Sequence, residues 1–295
     1  MWGSTLSDPR ARLRSLRMSD PPIRTPGVDL VVTVYDRTLR GVLAPGCLSE
    51  IAAGSAFAFA RRTLLVNNVA AREEVEALAR ELIAAGELDH VEYAADHLDA
   101  ALRVTGLTRA ELEPIPYFTD WAIVAATMPG PEWVLHWDAE VRMIAPVDWI
   151  TPALELMERD RRVMVANPYW NVPTLEQTTF ERDGEFALGH GFSDQVWLAR
   201  RAELSRPIYQ QRSLARLRYP MAHVGHIFEA RVDAHLRHHG RLRATHVRAT
   251  YRHPPNMGIS HPPRTRLQSL RYVRNRLVTA GLLLAPLKPR SLRYM

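Results

Sequence analysis

Cysteine, lysine and long apolar runs are nearly absent from this sequence of 295 residues. The single cysteine, Cys47, cannot form an internal disulfide or a cysteine metal cluster, which favours a reducing, cytoplasmic setting. Because no run of about 18 consecutive apolar residues occurs, we expect no membrane-spanning helix. Residues 1–24 contain arginines without an apolar core, so we expect no secretory signal there.

Lys288 is the only lysine, so the formal net charge of +6 comes almost entirely from arginine. Residues 1–25 hold five arginines and two aspartates, and residues 260–295 hold seven arginines, Lys288 and no acidic residue. The region between these ends is therefore slightly acidic. A nucleic-acid-binding domain carries its basic surface on the folded core, so we expect no nucleic acid partner.

Three segments follow from the charge pattern and the spacing of proline. Residues 1–27 are polar and interrupted by prolines, which predicts a flexible basic arm. Residues 28–258 are rich in apolar residues and predict a single main domain. Residues 259–295 form a basic tail that mixes leucine with arginine. Such a tail suits either a helix that packs back on the domain or peripheral contact with the anionic inner face of a membrane.

Strand-like and helix-like segments alternate along the main domain, which predicts an α/β fold with a mostly parallel sheet flanked by helices. The first strand, VDLVVTVY, is continuously apolar and β-branched, as expected of a strand buried on both faces. The predicted strands are 28–35, 63–68, 91–94, 133–137, 141–144, 163–167, 195–200 and 244–253. The predicted helices are 47–61, 71–85, 97–105, 118–128, 149–159 and 222–239.

Polar side chains follow several of these strands. In an open α/β sheet, ligands bind beyond the carboxyl ends of the strands, so polar residues there predict a shared site. The residues are Asp36 and Arg37, Asn67 and Asn68, Asp96, and Asp138 with Glu140.

The stretch WVLHWDAEV ends a strand with two acids, Asp138 and Glu140, spaced so that they point the same way on an extended chain. Two such carboxylates repel each other unless a cation or a proton lies between them. The pair is therefore either a solvated strand end or part of a site for a hard dication, Mn²⁺ or Mg²⁺. His253, at the end of a late strand, is the candidate for a third ligand.

The phrases VDLVVTVYDR, LLVNN, WVLHWDAEV and GFSDQVWLARRAEL, in this order, resemble a GT-A glycosyltransferase of the family 2 kind over residues 28–256. The resemblance implies a Rossmann-like sheet and divalent-metal-assisted transfer of a sugar from a nucleoside diphosphate sugar. The acceptor would be a hydroxyl group of a glycan, a lipid-linked molecule or a small molecule.

In that family the first strand and its loop hold the nucleotide, and a later strand ends in an Asp-x-Asp motif that binds the metal and the donor diphosphate. The resemblance places Asp138 at the first acidic position and Glu140 at the second. It implies nucleotide or donor contacts for Tyr35, Asp36, Arg37, Asn67, Asp96 and Asp138.

Transfer to a hydroxyl also needs a base that accepts the acceptor's proton. The resemblance implies an acid in the second half of the domain, for which Glu229 and Asp194 are the candidates. Glu229 is the preferred base, and Asp194 is the alternative. If Glu229 is the base, Asp194 would instead bind a sugar hydroxyl. Tyr169, Trp170 and Trp197 are candidates for stacking on a sugar, although aromatic side chains are more often part of the core.

Two other functions fit parts of the sequence. A non-catalytic binding or scaffold protein on a degenerate GT-A fold would account for Glu140 at the second acidic position and for the Asn67-Asn68 pair. A sugar-phosphate nucleotidyltransferase would need a glycine-rich phosphate loop after the first strand, and the segment there contains only Gly41 and Gly46.

Overall fold

A computed structural model describes residues 27–169, 178–219, 221–253 and 264–284, with the side chains of 281–284 excepted. The expected basic arm at 1–26, Trp170 and the end of the basic tail lie outside the described residues. The proposed boundaries of the arm, the domain and the tail therefore stay predictions.

The strands agree well with the sequence pattern. They are β1 Val28–Val34, β2 Arg61–Val66, β3 His90–Tyr93, β4 Trp133–Asp138, β5 Arg142–Met143, β6 Val163–Tyr169, β7 Thr179–Asp183, β8 Phe186–Gly189, β9 Val196–Arg200 and β10 Leu242–Arg252. The helices are α1 Asp36–Val42, α2 Cys47–Gly54, α3 Arg72–Ala84, α4 Ala94–Thr105, α5 Arg109–Leu112, α6 Asp120–Thr127, α7 Ile150–Arg159, α8 Arg201–Leu204, α9 Phe228–His238 and α10 Arg266–Leu284.

The strands form a sheet in the order β3-β2-β1-β4-β9-β6-β10-β8-β7, and β5 pairs with β10 at one end. β1 runs parallel to β2 and β4, and β6 runs parallel to β10. β9 is antiparallel to both β4 and β6. All strands on this path except β8 and β9 therefore run in one direction, and the predicted α/β fold with a mostly parallel sheet is confirmed.

The first strand shows why a continuous apolar run belongs at the centre of this sheet. Successive side chains of a strand point to opposite faces. Leu30, Val32 and Val34 pack in a core on one face, with residues of α1, α2, α3 and α7. Val31 packs in a second core on the other face, with residues of α4, α6 and α9. Both faces are thus covered by helices.

The structure differs locally from the predictions. The helix predicted over 47–61 ends at Gly54, because the Phe57 and Phe59 side chains that follow pack against the core from a non-helical segment. The helix predicted over 222–239 begins at Phe228. The short helix α1 and the β7–β8 hairpin were not predicted, and the hairpin turns at Gly184, whose φ of +54° favours glycine.

α10 packs against the 3-10 helix Leu214–Arg218. Its polar residue Asn275 is buried, whereas Leu267, Leu270 and Leu277 are among its exposed residues. Of the helices that the structure describes, none is long and apolar enough to cross a membrane.

Candidate functional site

The polar strand ends meet at one edge of the sheet. Thr33 of β1 pairs with Asp138 of β4, so these parallel strands finish side by side. β9 runs in the opposite direction and pairs Val196 with Trp137, so β9 begins where β4 ends. This edge therefore collects the carboxyl ends of β1, β2, β4 and β10 together with the residues that precede β9.

Three of the predicted residues come together here as a possible set of metal ligands. One ligand atom each of Asp138, Glu140 and His253 lies within 4.8 Å of the other two. The Nε2 atom of His253 is 3.1 Å from Oε2 of Glu140. Residues from β4, the turn after it and the end of β10 thus form the three-residue cluster that we call the acidic triad.

Hydrogen bonds fix the positions of the two acids. The Tyr35 hydroxyl donates to Oε1 of Glu140 at 2.6 Å, and the Glu140 main-chain N–H donates to Oδ1 of Asp138 at 2.9 Å. The Asp138 N–H donates to the carbonyl oxygen of Gln195 at 2.7 Å. Burial and the hydrogen bond to Glu140 raise the pKa of Tyr35, so the phenol stays a donor.

The electrostatics of the triad suit a cation. Burial raises the pKa of Asp138 to about 7, the charges of Glu140 and Asp194 add to this, and His253 opposes it. Within the described part of the chain, no arginine or lysine forms an ion pair with Asp138 or Glu140, and Glu140 pairs with His253. Two carboxylates and one imidazole in close proximity are a donor set that fits a divalent ion.

The two candidate bases lie beside the triad and against each other. Asp194 precedes β9, and Glu229 lies in the first turn of α9. The Asp194 N–H donates to Oε1 of Glu229 at 3.2 Å. Burial raises the pKa of Asp194 to about 6. Burial, followed by the charge of Asp194, raises the pKa of Glu229 well above its ordinary value.

The carboxyl groups of this pair also share a hydrogen bond, which lowers the pKa of Asp194 and raises that of Glu229. A proton shared by the two carboxyl groups would relieve the repulsion between them. Both side chains are half-buried, so the pair is sheltered and still reaches solvent.

Tyr251 and Gln195 complete this side of the site, and the sequence did not single them out. The Tyr251 hydroxyl donates to Oε1 of Gln195 at 2.9 Å. Burial raises the pKa of Tyr251, and the charges of Asp194, Glu229 and Asp138 act in the same direction. The signal was present in the sequence, because Tyr251 lies two residues before His253 near the end of the same strand.

Asn67 directly follows β2 and hydrogen-bonds to an acid that the sequence also did not reveal. Its Nδ2 donates to Oδ1 of Asp120 at 3.2 Å, and its main-chain N–H donates to the carbonyl oxygen of Val34 at 2.8 Å. Burial raises the pKa of Asp120 to about 6. An acidic side chain thus lies at this strand end, although it comes from the first turn of α6.

The remaining predicted donor contacts lie on the surface. Asp36 and Arg37 are exposed at the start of α1. Asp96 lies in the first turn of α4 and forms an exposed ion pair with Arg72 at 2.7 Å. The Arg72 guanidinium in turn covers the Tyr93 ring at 3.7 Å from its centroid.

The aromatic candidate Trp197 belongs to the core. Its side chain is 1% exposed, and its ring stacks on His136 with 5.3 Å between ring centroids. His136 is itself enclosed between Trp197 and Trp121 and hydrogen-bonds to Thr33 at 2.9 Å. Burial lowers the pKa of His136 to about 3, so its imidazole is neutral.

Comparison with known proteins adds a resemblance in overall fold. No protein-family model matches the sequence, and no curated protein matches it. Similar solved structures include GalNAc-T7 with UDP, GalNAc and Mn²⁺, at 11% identity and a TM-score of 0.44 over 88% of this chain. This chain spans 52% of the length of that GalNAc-T7 chain.

Two further structures are similar. The mannosyltransferase PcManGT from Pyrobaculum calidifontis, in complex with GDP-Man and Mn²⁺, shares 14% identity with a TM-score of 0.45, covering 96% of this chain and 72% of its own. Mouse xyloside xylosyltransferase 1, in its apo form, shares 15% identity with a TM-score of 0.38. The match covers 74% of this chain and 84% of the xylosyltransferase chain. All three similarities are loose, so individual residues of this chain are not equated with residues of these structures.

Proposed function

We propose that this chain is a metal-dependent glycosyltransferase that moves a sugar from a nucleoside diphosphate sugar to a hydroxyl acceptor. The observation that supports this most is the acidic triad at the carboxyl edge of the sheet, with the Asp194–Glu229 pair beside it. One group suits a metal-bound diphosphate, and the other suits proton transfer from a hydroxyl.

Asp138, Glu140 and His253 would hold the divalent ion. A bound ion of this kind neutralises the negative charge of a departing diphosphate. The imidazole favours Mn²⁺ over Mg²⁺, because Mg²⁺ prefers oxygen ligands more strictly. Tyr35 would keep the Glu140 carboxylate in position through its 2.6 Å hydrogen bond.

The nucleoside would lie over the ends of β1 and β2. Asn67 and the buried Asp120 offer an amide and a carboxyl group there, which suit the hydroxyl groups of a ribose. Asp36, Arg37 and Asp96 stay proposed donor contacts at the rim of this region, where their exposed side chains are accessible to a ligand.

Asp194 is the proposed base, in preference to Glu229, because Asp194 lies close enough to the acidic triad for its charge to act on Asp138. The acceptor oxygen forms a bond to the anomeric carbon of the donor sugar, and the bond from that carbon to the diphosphate breaks. The hydroxyl proton passes to the Asp194 carboxylate. Glu229 would orient Asp194 through the hydrogen bond between their carboxyl groups.

The test is a calorimetric titration with UDP and with GDP, with and without Mn²⁺, on the wild type and on Asp138→Ala. We expect one nucleotide to bind only with Mn²⁺ and to lose that binding in Asp138→Ala. Glu50→Gln, which changes an exposed carboxylate on α2, is the control and retains binding. A folded wild type that binds neither nucleotide would contradict the proposal.

Measurement of turnover distinguishes the transferase from the two other candidate functions. Release of the nucleoside diphosphate from a nucleotide sugar, slowed in Asp194→Asn, is the result expected of a transferase. A binding or scaffold protein would bind the nucleotide without turnover. A nucleotidyltransferase would release pyrophosphate from a nucleoside triphosphate and a sugar phosphate instead.

We also propose that α10 contacts an anionic membrane surface. Its exposed apolar residues include Leu270 and Leu277, each 69% exposed, and they alternate with exposed arginines such as Arg271 and Arg274. An apolar and basic helix face is complementary to an anionic lipid surface. This contact would suit a lipid-linked acceptor.

Flotation with vesicles tests this contact. We expect binding to vesicles that contain phosphatidylglycerol, weaker binding to phosphatidylcholine alone, and about tenfold or greater loss when Leu270→Glu is combined with Leu277→Glu. Val104→Glu, at an exposed valine of α4, is the matched control. Absence of vesicle binding would contradict the proposal, and concentration-dependent dimerisation that the double variant abolishes would assign the surface to a second copy.

A further inference from the structure

Beyond the Asp194–Glu229 pair, two arginine side chains meet beside Gly191. Arg243 of β10 is 7% exposed, and Arg218 ends the 3-10 helix Leu214–Arg218. A Cβ atom at residue 191 would lie 3.0 Å from Nη1 of Arg243 and 3.1 Å from Nη2 of Arg218. Gly191 also has a φ of +98°, so glycine is required both by the backbone and by the arginines. We call Arg218 and Arg243 the arginine pair.

The positive charge of this pair is poorly compensated. Nη2 of Arg243 donates to Oγ1 of Thr178 at 3.1 Å. Its Nε and the buried Nη1 of Arg218 have no hydrogen-bond partner in the described regions. Burial, followed by the charge of Arg218, lowers the pKa of Arg243 to about 10.

The nearby acid Asp233 does not form an ion pair with either arginine. Its Oδ1 is 2.9 Å from Nε of Arg237. A buried arginine beside a half-buried one, without an ion pair to either in the described residues, is costly to fold, because the buried group loses its hydration and the two charges repel each other. An anionic ligand would supply the missing charge and the missing acceptors.

The main chain connects the arginine pair directly to the proposed base. The Gly191 N–H donates to Oδ1 of Asp233 at 2.8 Å, the Phe192 N–H donates to the Tyr219 hydroxyl at 3.1 Å, and the Asp194 N–H donates to Glu229. Three steps along the chain separate Gly191 from Asp194, a Cα distance of at most about 11 Å.

The charged groups of the site also act on one another. Asp194 lies close enough to Asp138 for their charges to interact, and Glu229 interacts with both Asp194 and Arg218. Arg243 lies at the start of β10, whereas His253 directly follows the end of β10. The arginine pair and the acidic triad therefore lie at different ends of this strand.

Resting on the proposed function, we propose that the arginine pair binds an anionic group of the acceptor, a phosphate or a carboxylate, and so holds the acceptor hydroxyl at Asp194. Guanidinium groups recognise both anions through paired N–H donors. The substrate class is thus an anionic hydroxyl compound rather than a neutral sugar.

Binding of simple anions tests the site without the full reaction. Inorganic phosphate and acetate are titrated by calorimetry in metal-free buffer with EDTA at constant ionic strength. We expect the wild type to bind at least one of them and Arg218→Gln to bind it about tenfold or more weakly. Tighter binding of phosphate or of acetate identifies the anionic group.

Matched variants separate the arginine pair from general attraction to a basic surface. Arg212→Gln removes an exposed arginine from the same segment and retains anion binding. Arg218→Lys keeps the charge but not the fork of donors, and we expect intermediate affinity. An equal loss in Arg212→Gln and Arg218→Gln, or no anion binding by the wild type, overturns the proposal. Thermal unfolding without anions shows whether each variant is folded.

The nucleotide titration with Mn²⁺, repeated on Arg218→Gln, keeps this proposal distinct from the proposed function. Unchanged nucleotide binding is expected, since the arginine pair lies away from the triad. Loss of nucleotide binding would assign the arginines to the donor and overturn the acceptor proposal. If the wild type binds phosphate but no nucleotide, the transferase function fails, and with it the acceptor role.

Discussion

Asp29 and Asp138, two carboxylates at opposite ends of neighbouring parallel strands, have opposite surroundings. Asp29, near the start of β1, is completely buried and is surrounded by donors. Arg61 donates to its Oδ2 at 2.5 Å, Arg201 donates to the same oxygen, and the Thr63 hydroxyl donates to Oδ1 at 2.9 Å. The chain itself thus supplies both the cations and the hydrogen bonds that this charge requires.

Asp138, at the end of β4, accepts a hydrogen bond from the main-chain N–H of Glu140, and its charged neighbours include the acids Glu140 and Asp194. The chain thus saturates the buried Asp29 and leaves the half-buried Asp138 among like charges, as expected if Asp138 binds a cation. The difference separates a structural acid from a proposed ligand-binding acid.

The largest effect is expected from Asp29→Asn. The substitution leaves Arg61 and Arg201 without their shared counter-ion, and the free energy of unfolding should fall by about 3–5 kcal/mol. Urea denaturation measures this. Asp89→Asn, in the exposed pair with Arg62, is the control and should cost about 1 kcal/mol or less. Similar losses in the free energy of unfolding at both positions would contradict the structural role of Asp29.

Asp138→Asn should weaken ligand binding and leave stability nearly unchanged, unlike Asp29→Asn. Loss of a direct ligand should weaken Mn²⁺-dependent nucleotide binding by more than about 100-fold. The free energy of unfolding should stay within about 1 kcal/mol of the wild type, because the variant removes a carboxylate that has acidic neighbours. If Asp138→Asn unfolds as easily as Asp29→Asn, the contrast between the two acids is wrong.

Asp120 is an intermediate case, because it is buried against neutral donors only, the Asn67 amide and the Trp121 N–H. Burial raises its pKa to about 6 in the folded state, so the folded state binds more protons than the unfolded state between about pH 4 and 6. This acid therefore contributes a loss of stability as the pH rises through that window.

Asp120→Asn should remove this contribution. We expect the variant to be more stable than the wild type at pH 8, by about 2 kcal/mol, and similar to it at pH 4. Paired urea denaturation curves at the two pH values provide the measurement. An equal difference at both pH values would show that the effect is not the ionisation of Asp120.

The smallest effect is expected from Tyr35→Phe, which removes the hydrogen bond to Glu140 but no ligand. Mn²⁺ affinity, measured by calorimetry, should fall by about three- to tenfold. Tyr93→Phe removes an exposed hydroxyl whose hydrogen bond to the Arg72 carbonyl is 3.5 Å long, and it should leave Mn²⁺ affinity unchanged. A change as large as that of Asp138→Asn would give Tyr35 a direct part in binding.

Periodicity predicted the sheet well where strands are continuously apolar. β1, β4 and β6 were found because both of their faces are buried and almost every side chain is apolar. The β7–β8 hairpin was missed, because β7 is half exposed and reads TFERD, without alternation. The start of the helix predicted over 222–239 was also misjudged. Residues 222–227 have a composition that suits a helix, but they form a non-helical segment.

The candidate site was predictable only in part, for a related reason. Asp138 and Glu140 are close in sequence, and strand ends at one sheet edge are expected to meet. His253 was placed with them by its position after a strand, and one of its ligand atoms lies within 4.8 Å of theirs. Its role as a metal ligand stays a prediction. Asp120 and the arginine pair had no such signal, because Asp120 comes from α6 and the two arginines come from the 3-10 helix and β10, far along the chain from the residues that they approach.

The composition of the acidic triad has a consequence for the newly synthesised protein. Asp138 and Glu140 emerge from the ribosome well before His253, by roughly ten seconds at the usual rate of synthesis. β10, which His253 directly follows, pairs with β5, β6 and β8, so the third proposed ligand arrives only when the second half of the sheet assembles. Metal binding that requires all three ligands is therefore a late event, and it reports that the sheet is complete.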